Sequence, residues 1–208
     1  MLQKKIINKT HPLDSLSKEE IDKSIFIFKS DANSDENSIF SYITLDEPDK
    51  NFVKDFKYGD FFSRKTKIVG IDSSSKGFEA SIDLNKEKVT SLNVIPDAAG
   101  PTYTMLEIMT AIQLTLENEE YQAALEKRGI TDLSLIQIDP WPGGGITHEK
   151  IEEGHRALKT ISFLKESPED NAYARPISGL ISHVDLTDKY IVEIEDQGIS
   201  NLPQQSAK

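Results

Sequence analysis

The sequence predicts an α+β protein built as two tandem units, each a helical segment on an antiparallel sheet. Two observations predict it. First, the same helix-start device occurs twice: Ser17 with Glu20, and Thr104 with Glu107, each a hydroxyl followed three positions later by a glutamate. Second, Ile82-Asp83-Leu84-Asn85-Lys86-Glu87-Lys88-Val89 parallels Val184-Asp185-Leu186-Thr187-Asp188-Lys189-Tyr190-Ile191. Each copy reads as a strand, a polar turn and a return strand.

The first helix starts at the Ser17 cap, with Leu16 and Ile21 placed for a hydrophobic staple, and runs to about Lys29. The polar stretch 30–38 breaks it. Ile39 to Leu45 reads as a strand ended by Glu47-Pro48. Residues 51–65 are ambiguous, with Phe52, Phe56, Phe61 and Phe62 among charges. Strands follow at 67–71, 78–84 and 89–95, with a serine-rich turn at 73–77, as in an antiparallel meander.

Residues 96–101 form a linker of proline, glycine and small residues. The second helix opens at Thr104, with Tyr103 and Ile108 as its staple. Met105, Met109, Ile112 and Leu116 recur at helical spacing, which points to a core stripe. Asn118 restarts the helix at an angle. Lys127-Arg128-Gly129 ends it, with cations in the last turn and a glycine cap. Further strands are expected at 133–138, 157–163, 179–186 and 190–195. The second copy is the longer, and its extra residues fall in the 140–154 region.

Composition narrows the function. The 208 residues are 37% hydrophobic, enough for a real core. The formal charge of −11 argues against a nucleic-acid footprint, which needs a basic face. There is no cysteine, hence no disulfide, thiolate metal site or thiol nucleophile. Residues 1–10 hold no apolar signal region, and no apolar run approaches the roughly 18 residues that span a bilayer, so no membrane partner and a cytoplasmic location are expected.

Chemistry-bearing motifs are few. The histidines are His11, His148, His155 and His183, with no His-x-His or HExxH pattern, so no metal site is expected on this chain. The acidic pairs Glu119-Glu120, Glu152-Glu153 and Glu169-Asp170 sit in polar surroundings, not in a recognisable cleft. Gly143-Gly144-Gly145 lacks the lysine and hydroxyl of a phosphate loop. Trp141, flanked by Pro140 and Pro142, reads as held on a constrained turn. It is either a packing anchor or a contact surface for another domain or a ligand path. Arg175 precedes Pro176 and is biased to an extended conformation. It would form either a salt bridge within its unit or an interdomain contact. In an extended segment Tyr173 and Arg175 would share one side.

Together, His11-Pro12-Leu13-Asp14-Ser15-Leu16, Lys127-Arg128-Gly129-Ile130, Asp139-Pro140-Trp141, Asn171 to Gly179, Val184-Asp185-Leu186 and Asp196-Gln197-Gly198 resemble the N-terminal region of the copper amine oxidases. The family pattern Asn-x-Tyr-Ala-x-Pro followed by a glycine is met at Asn171 to Gly179. The resemblance implies two cystatin-like domains, N2 over residues 11–96 and N3 over 97–203, with tails at 1–10 and 204–208. It implies a partner, the catalytic domain, which is homodimeric in the family. That domain carries one copper on three histidines and a topaquinone made from the tyrosine of Asn-Tyr-Asp/Glu. It converts a primary amine, oxygen and water to an aldehyde, ammonia and hydrogen peroxide. No Asn-Tyr pair occurs in this sequence, so the family's catalytic residues carry over to no position. The chain is expected to bind no cofactor and to be inactive alone. What the resemblance carries over is substrate-channel lining by Trp141 and Tyr173. The other expectation is a free-standing interaction module of the same fold that has lost the enzyme.

Overall fold

The computed structural model describes residues 11–96, 100–143 and 148–199. The chain divides between Thr102 and Tyr103 into two compact units.

The first unit runs α1 (Lys18–Ser30), β1 (Ile39–Leu45), a short α2 (Lys50–Asp55), β2 (Lys65–Ile71), β3 (Gly77–Asp83) and β4 (Lys88–Val94). Its strands form an antiparallel meander in the order β1-β2-β3-β4. α1 starts where the capping box predicts: the Ser17 hydroxyl accepts from the Glu20 N–H, and the Glu20 carboxylate accepts from the Ser17 N–H. Its apolar side, with Ile27 and Phe28, packs on Ile68, Phe78, Ala80, Ile82 and Leu84. The ambiguous stretch resolves into α2, capped by Asp49, and a surface cluster in which Phe56 meets the rings of His11, Phe52, Tyr58 and Phe62.

The second unit repeats the plan with α3 (Met105–Glu117), α4 (Glu119–Lys127), β5 (Ile136–Pro142), β6 (Ala157–Leu164), β7 (Pro176–Asp185) and β8 (Tyr190–Asp196), in the order β5-β6-β7-β8. Asn118 caps α4 through the Tyr121 N–H, and Gly129 ends it at φ 74°. Tyr121, Ala124, Leu125, Ile138, Ile177, Leu180 and Ile194 form the main core.

Two expectations are corrected. The stretch from Leu133 opens as a 3₁₀ turn, Leu133–Leu135, because the Asp132 carboxylate caps it at the Ser134 N–H. The strand therefore runs later, through Pro140, Trp141 and Pro142, so Trp141 lies on a strand and not on a turn. Met105 and Met109 are exposed, at 70% and 54%, and form no core stripe. α3 instead turns Thr104, Ala111 and Thr115 inward, with Glu107 on the same side.

The two units share a buried pin that ties helix to sheet. In the first, Arg64 (2% exposed) donates to Glu20 at 2.7 Å and to the carbonyls of Pro12, Asp14 and Ser15. In the second, Arg156 bonds Glu107 and lies over the Tyr103 ring. Each glutamate is thus a helix cap and an ion-pair partner at once. Burial pushes the Glu107 carboxyl up, but the Arg156 and Thr104 hydrogen bonds outweigh it and hold it below the usual range. The arginine N–H donates to Asn85 in one copy and Thr187 in the other, and its carbonyl accepts from Leu84 or Leu186.

One detail of β5 follows from register. The Leu164 N–H donates to the Arg175 carbonyl, so Leu164 turns its backbone groups toward β7 and away from β5. Ile136, its partner, therefore turns its own away from β6, and by alternation so do Ile138, Pro140 and Pro142. The missing N–H groups of both prolines fall on the open side of an edge strand.

Candidate functional site

Residues directly opposite on paired strands share a face. In the second sheet, Thr160 and Ser162 face the helices, bonded to Thr115 and to the Tyr121 hydroxyl. Burial pushes that phenol up to about 12. The alternate residues face away: Gln137, Asp139 and Trp141 of β5, Lys159, Ile161 and Phe163 of β6, Ile181 and His183 of β7, Glu193 and Glu195 of β8. This outer face holds most of the unit's chemistry.

At the β5 edge, Trp141 and Tyr173 are each 55% exposed, as a contact surface requires and a packing anchor does not. They lie 32 positions apart in sequence, and one carboxylate joins them. The Trp141 indole donates to Asp139 Oδ2 at 3.1 Å, and the Tyr173 hydroxyl donates to Asp139 Oδ1 at 3.5 Å. Asp139 and Trp141 meet because alternate residues of a strand point the same way. Tyr173 arrives on the 3₁₀ turn Ala172–Ala174, capped by Asn171, and packs edge-on against Phe163 at 4.9 Å between centroids.

Tyr173 and Arg175 do not share a side. Asn171 coils the segment, and Arg175 turns inward to 2% exposure. Its fork binds Asp170, Glu166 at 3.0 Å and the Leu164 carbonyl at 3.0 Å. The salt bridge within the unit is therefore formed.

Further along the face, His148 and His183 stack at 4.5 Å. Each reaches a carboxylate at 3.3 Å, Glu193 and Glu195 respectively, and Lys150 bonds Glu193 at 2.5 Å. The Lys150 hydrogen bond holds the Glu193 carboxyl low. Gln197, then His183, does the same for Glu195. His148 and His155 sit in turns and join different clusters. His155, Asp185 and Asp188 bring donor atoms within 4.8 Å of one another. The first unit explains that triad as turn chemistry. Asp83 holds the place of Asp185, accepts from the Asn85 and Lys86 N–H groups as Asp185 does from Thr187 and Asp188, and takes Ser63 where Asp185 takes His155.

The signature segments prove to be scaffold. His11 to Leu16 supplies carbonyls to Arg64. Arg128 of the second segment bonds Asp196 at 2.5 Å and the Gly198 carbonyl at 2.7 Å of the last one. Gly179, at φ 69°, lies against Gln197, where an added Cβ would come within 3.2 Å of that side chain. The pin arginines and Asp139 were missed as interaction centres in sequence. The matching hairpins were the only signal for the former, and the i, i+2 spacing to Trp141 for the latter.

Residues 11–95 match the copper amine oxidase N2 domain and residues 107–208 the N3 domain. A primary amine oxidase of Arthrobacter sp. (strain P1) is 30% identical over 199 residues, which cover 95% of this chain and 30% of that protein. A copper-containing amine oxidase, gamma 2, of Arabidopsis thaliana is 32% identical over 197 residues, covering 93% and 28%. A primary amine oxidase of Klebsiella aerogenes is 31% identical over 200 residues, covering 94% and 26%. The crystal structure of a copper-containing benzylamine oxidase from Hansenula polymorpha shares the fold, with a TM-score of 0.71 and 18% identity over 91% of this chain and 31% of that one. The chain thus spans under a third of the length of these relatives. Among the described residues the donor set does not fit a copper centre of three imidazoles: His11 lies in the first unit against Phe56, His155 is held by Asp185, and only His148 and His183 approach each other. With both domain matches in order along one α+β tandem, the chain belongs to the copper amine oxidase family, of which it carries the N2 and N3 domains.

Proposed function

We propose that this chain is the noncatalytic N-terminal portion of a copper- and topaquinone-dependent primary-amine oxidase. It packs beside a catalytic domain and borders the entrance through which the amine reaches it. The observation that carries the reading is the exposed pair Trp141 and Tyr173, gathered on one carboxylate from separate parts of the N3 domain. Aromatic faces beside a negative charge suit the passage of an ammonium group. The oxidation itself is assigned to the catalytic domain, and this chain's part is to orient and admit the amine. The Arg175 guanidinium is engaged inside its unit, so a contact with a neighbouring domain would run through Glu166, its half-exposed partner. A free-standing interaction module is the second reading, and the exposed apolar residues Met105, Leu106 and Met109 at the start of α3 favour it.

The test is reconstitution. The chain is mixed with the catalytic domain of the Arthrobacter sp. (strain P1) enzyme, prepared without its own matching N-terminal residues. Co-elution is read together with peroxide released from a primary amine. Expected are a complex and a KM that rises in Trp141→Ala with little change in kcat. Absence of a complex, or a KM indifferent to Trp141, sinks the channel reading.

A further inference from the structure

We infer that Asp139, between Trp141 and Tyr173, is a binding site for primary alkylammonium ions. The inference rests on the same aromatics as the entrance proposed above, and adds the group that gives them charge selectivity. Asp139 differs from the other structured carboxylates of its unit. Glu166 and Asp170 are engaged by Arg175, Asp196 by Arg128, and Glu193 by Lys150. Among the described residues no cation lies within ion-pair distance of Asp139, and its two bonds come from neutral donors, an indole N–H and a phenol. Those donors fix the carboxylate without cancelling its charge. The register cation, Lys159 opposite Trp141, helps instead to hold the Glu195 carboxyl low.

A half-buried carboxylate keeps acceptor capacity after two such bonds, since its two oxygens offer about four lone-pair sites. A primary ammonium has three N–H donors for those sites. Its alkyl chain can then lie along the exposed indole and phenol, with Phe163 closing the floor behind Tyr173. A quaternary ammonium has the charge but no N–H, and a neutral alcohol has the chain but no charge. Each would lose one part of the recognition.

The full chain reports on this directly, because Trp141 is its sole tryptophan. Emission is titrated with n-butylammonium chloride at fixed ionic strength, with n-butanol and tetramethylammonium chloride as comparisons. Expected is a saturable response to n-butylammonium and a weaker one to tetramethylammonium. No saturable response to n-butanol is expected. In Asp139→Asn, which keeps an acceptor for the indole, binding should weaken about two- to fivefold or more, with an unchanged circular dichroism spectrum. An equal response to n-butanol, or unchanged binding in Asp139→Asn, overturns the inference and leaves Asp139 as a brace for Trp141. Loss of the ammonium response with reconstitution intact removes this site alone. Failed reconstitution with the titration intact removes only the packing reading.

Discussion

His155 and Ser63 occupy equivalent places, each bonded to the aspartate that closes its unit's hairpin. The substitution changes the pH behaviour of the second copy. The hydrogen bond to Asp185, against a small opposing effect of burial, raises the imidazole above its ordinary 6.5. A raised pKa in the folded state means the folded chain holds its proton more tightly than the unfolded chain. The stabilisation is therefore complete below 6.5 and disappears as pH rises through the folded value. Urea midpoints followed by Trp141 emission should fall as pH rises from 5.5 to 8.5 (about the window set by the ordinary imidazole value). The fall should be absent in His155→Gln; a slope that persists in that variant would assign it to other groups. Single residues were unevenly legible in the sequence. The capping glutamates were plain, because a cap is a local contact three positions long. Their second role was hidden, because Arg64 and Arg156 come from 44 and 49 positions away. Arg175 illustrates the limit of local reasoning: the following proline favours extension, yet the Asn171 cap sets a 3₁₀ turn and the guanidinium finds Asp170.

At the scale of elements, the joint between α1 and its sheet depends on one ion pair with almost no access to solvent. Arg64 and Glu20 are each 2% exposed. Arg64→Met keeps the bulk and strands the carboxylate, a change that costs about 3 kcal/mol or more when a buried pair loses one member. The first-unit transition, followed by the circular dichroism of α1 and β1–β4, should move to lower urea. A shift below about 1 kcal/mol would show that water reaches Glu20 readily. Arg156→Met should cost less, since its pair is more open, at 10% and 13% exposure. Helix boundaries were legible because caps are local, whereas helix orientation was not. The stripe Met105–Met109–Ile112–Leu116 has helical period, but period alone does not say which side faces the sheet. The Glu107–Arg156 pin and the Thr115–Thr160 bond decide it, and they leave the methionines outside. The shift of β5 had a similar cause: Pro140 and Pro142 looked like turn residues, and only strand order shows that an edge accommodates them.

At the scale of the molecule, the tandem plan was readable because each unit states it in its own sequence, once with capping boxes and once with hairpins. The outer face of the second sheet was not readable, since Asp139, Phe163, Tyr173, His183 and Glu193 come together only through register. No helix among the described residues is long and apolar enough to cross a membrane. Family membership supplies the larger setting, a protein of which relatives use this tandem as less than a third of their length. The two prolines of β5 add a rule for how that setting can be built. A free strand edge invites another strand to zip onto it, through donors and acceptors waiting in a row. At positions 140 and 142 the donors do not exist, so a neighbour laid along β5 would find carbonyls facing it with no matching N–H. In Pro140→Thr/Pro142→Thr the row is restored, and light scattering at rising concentration should reveal self-association that the parent chain lacks. Continued absence of association in the double variant would show that Trp141 alone keeps other chains away. The edge beside the proposed amine entrance is thus closed to fibre-like growth, and whatever docks there must meet side chains rather than backbone.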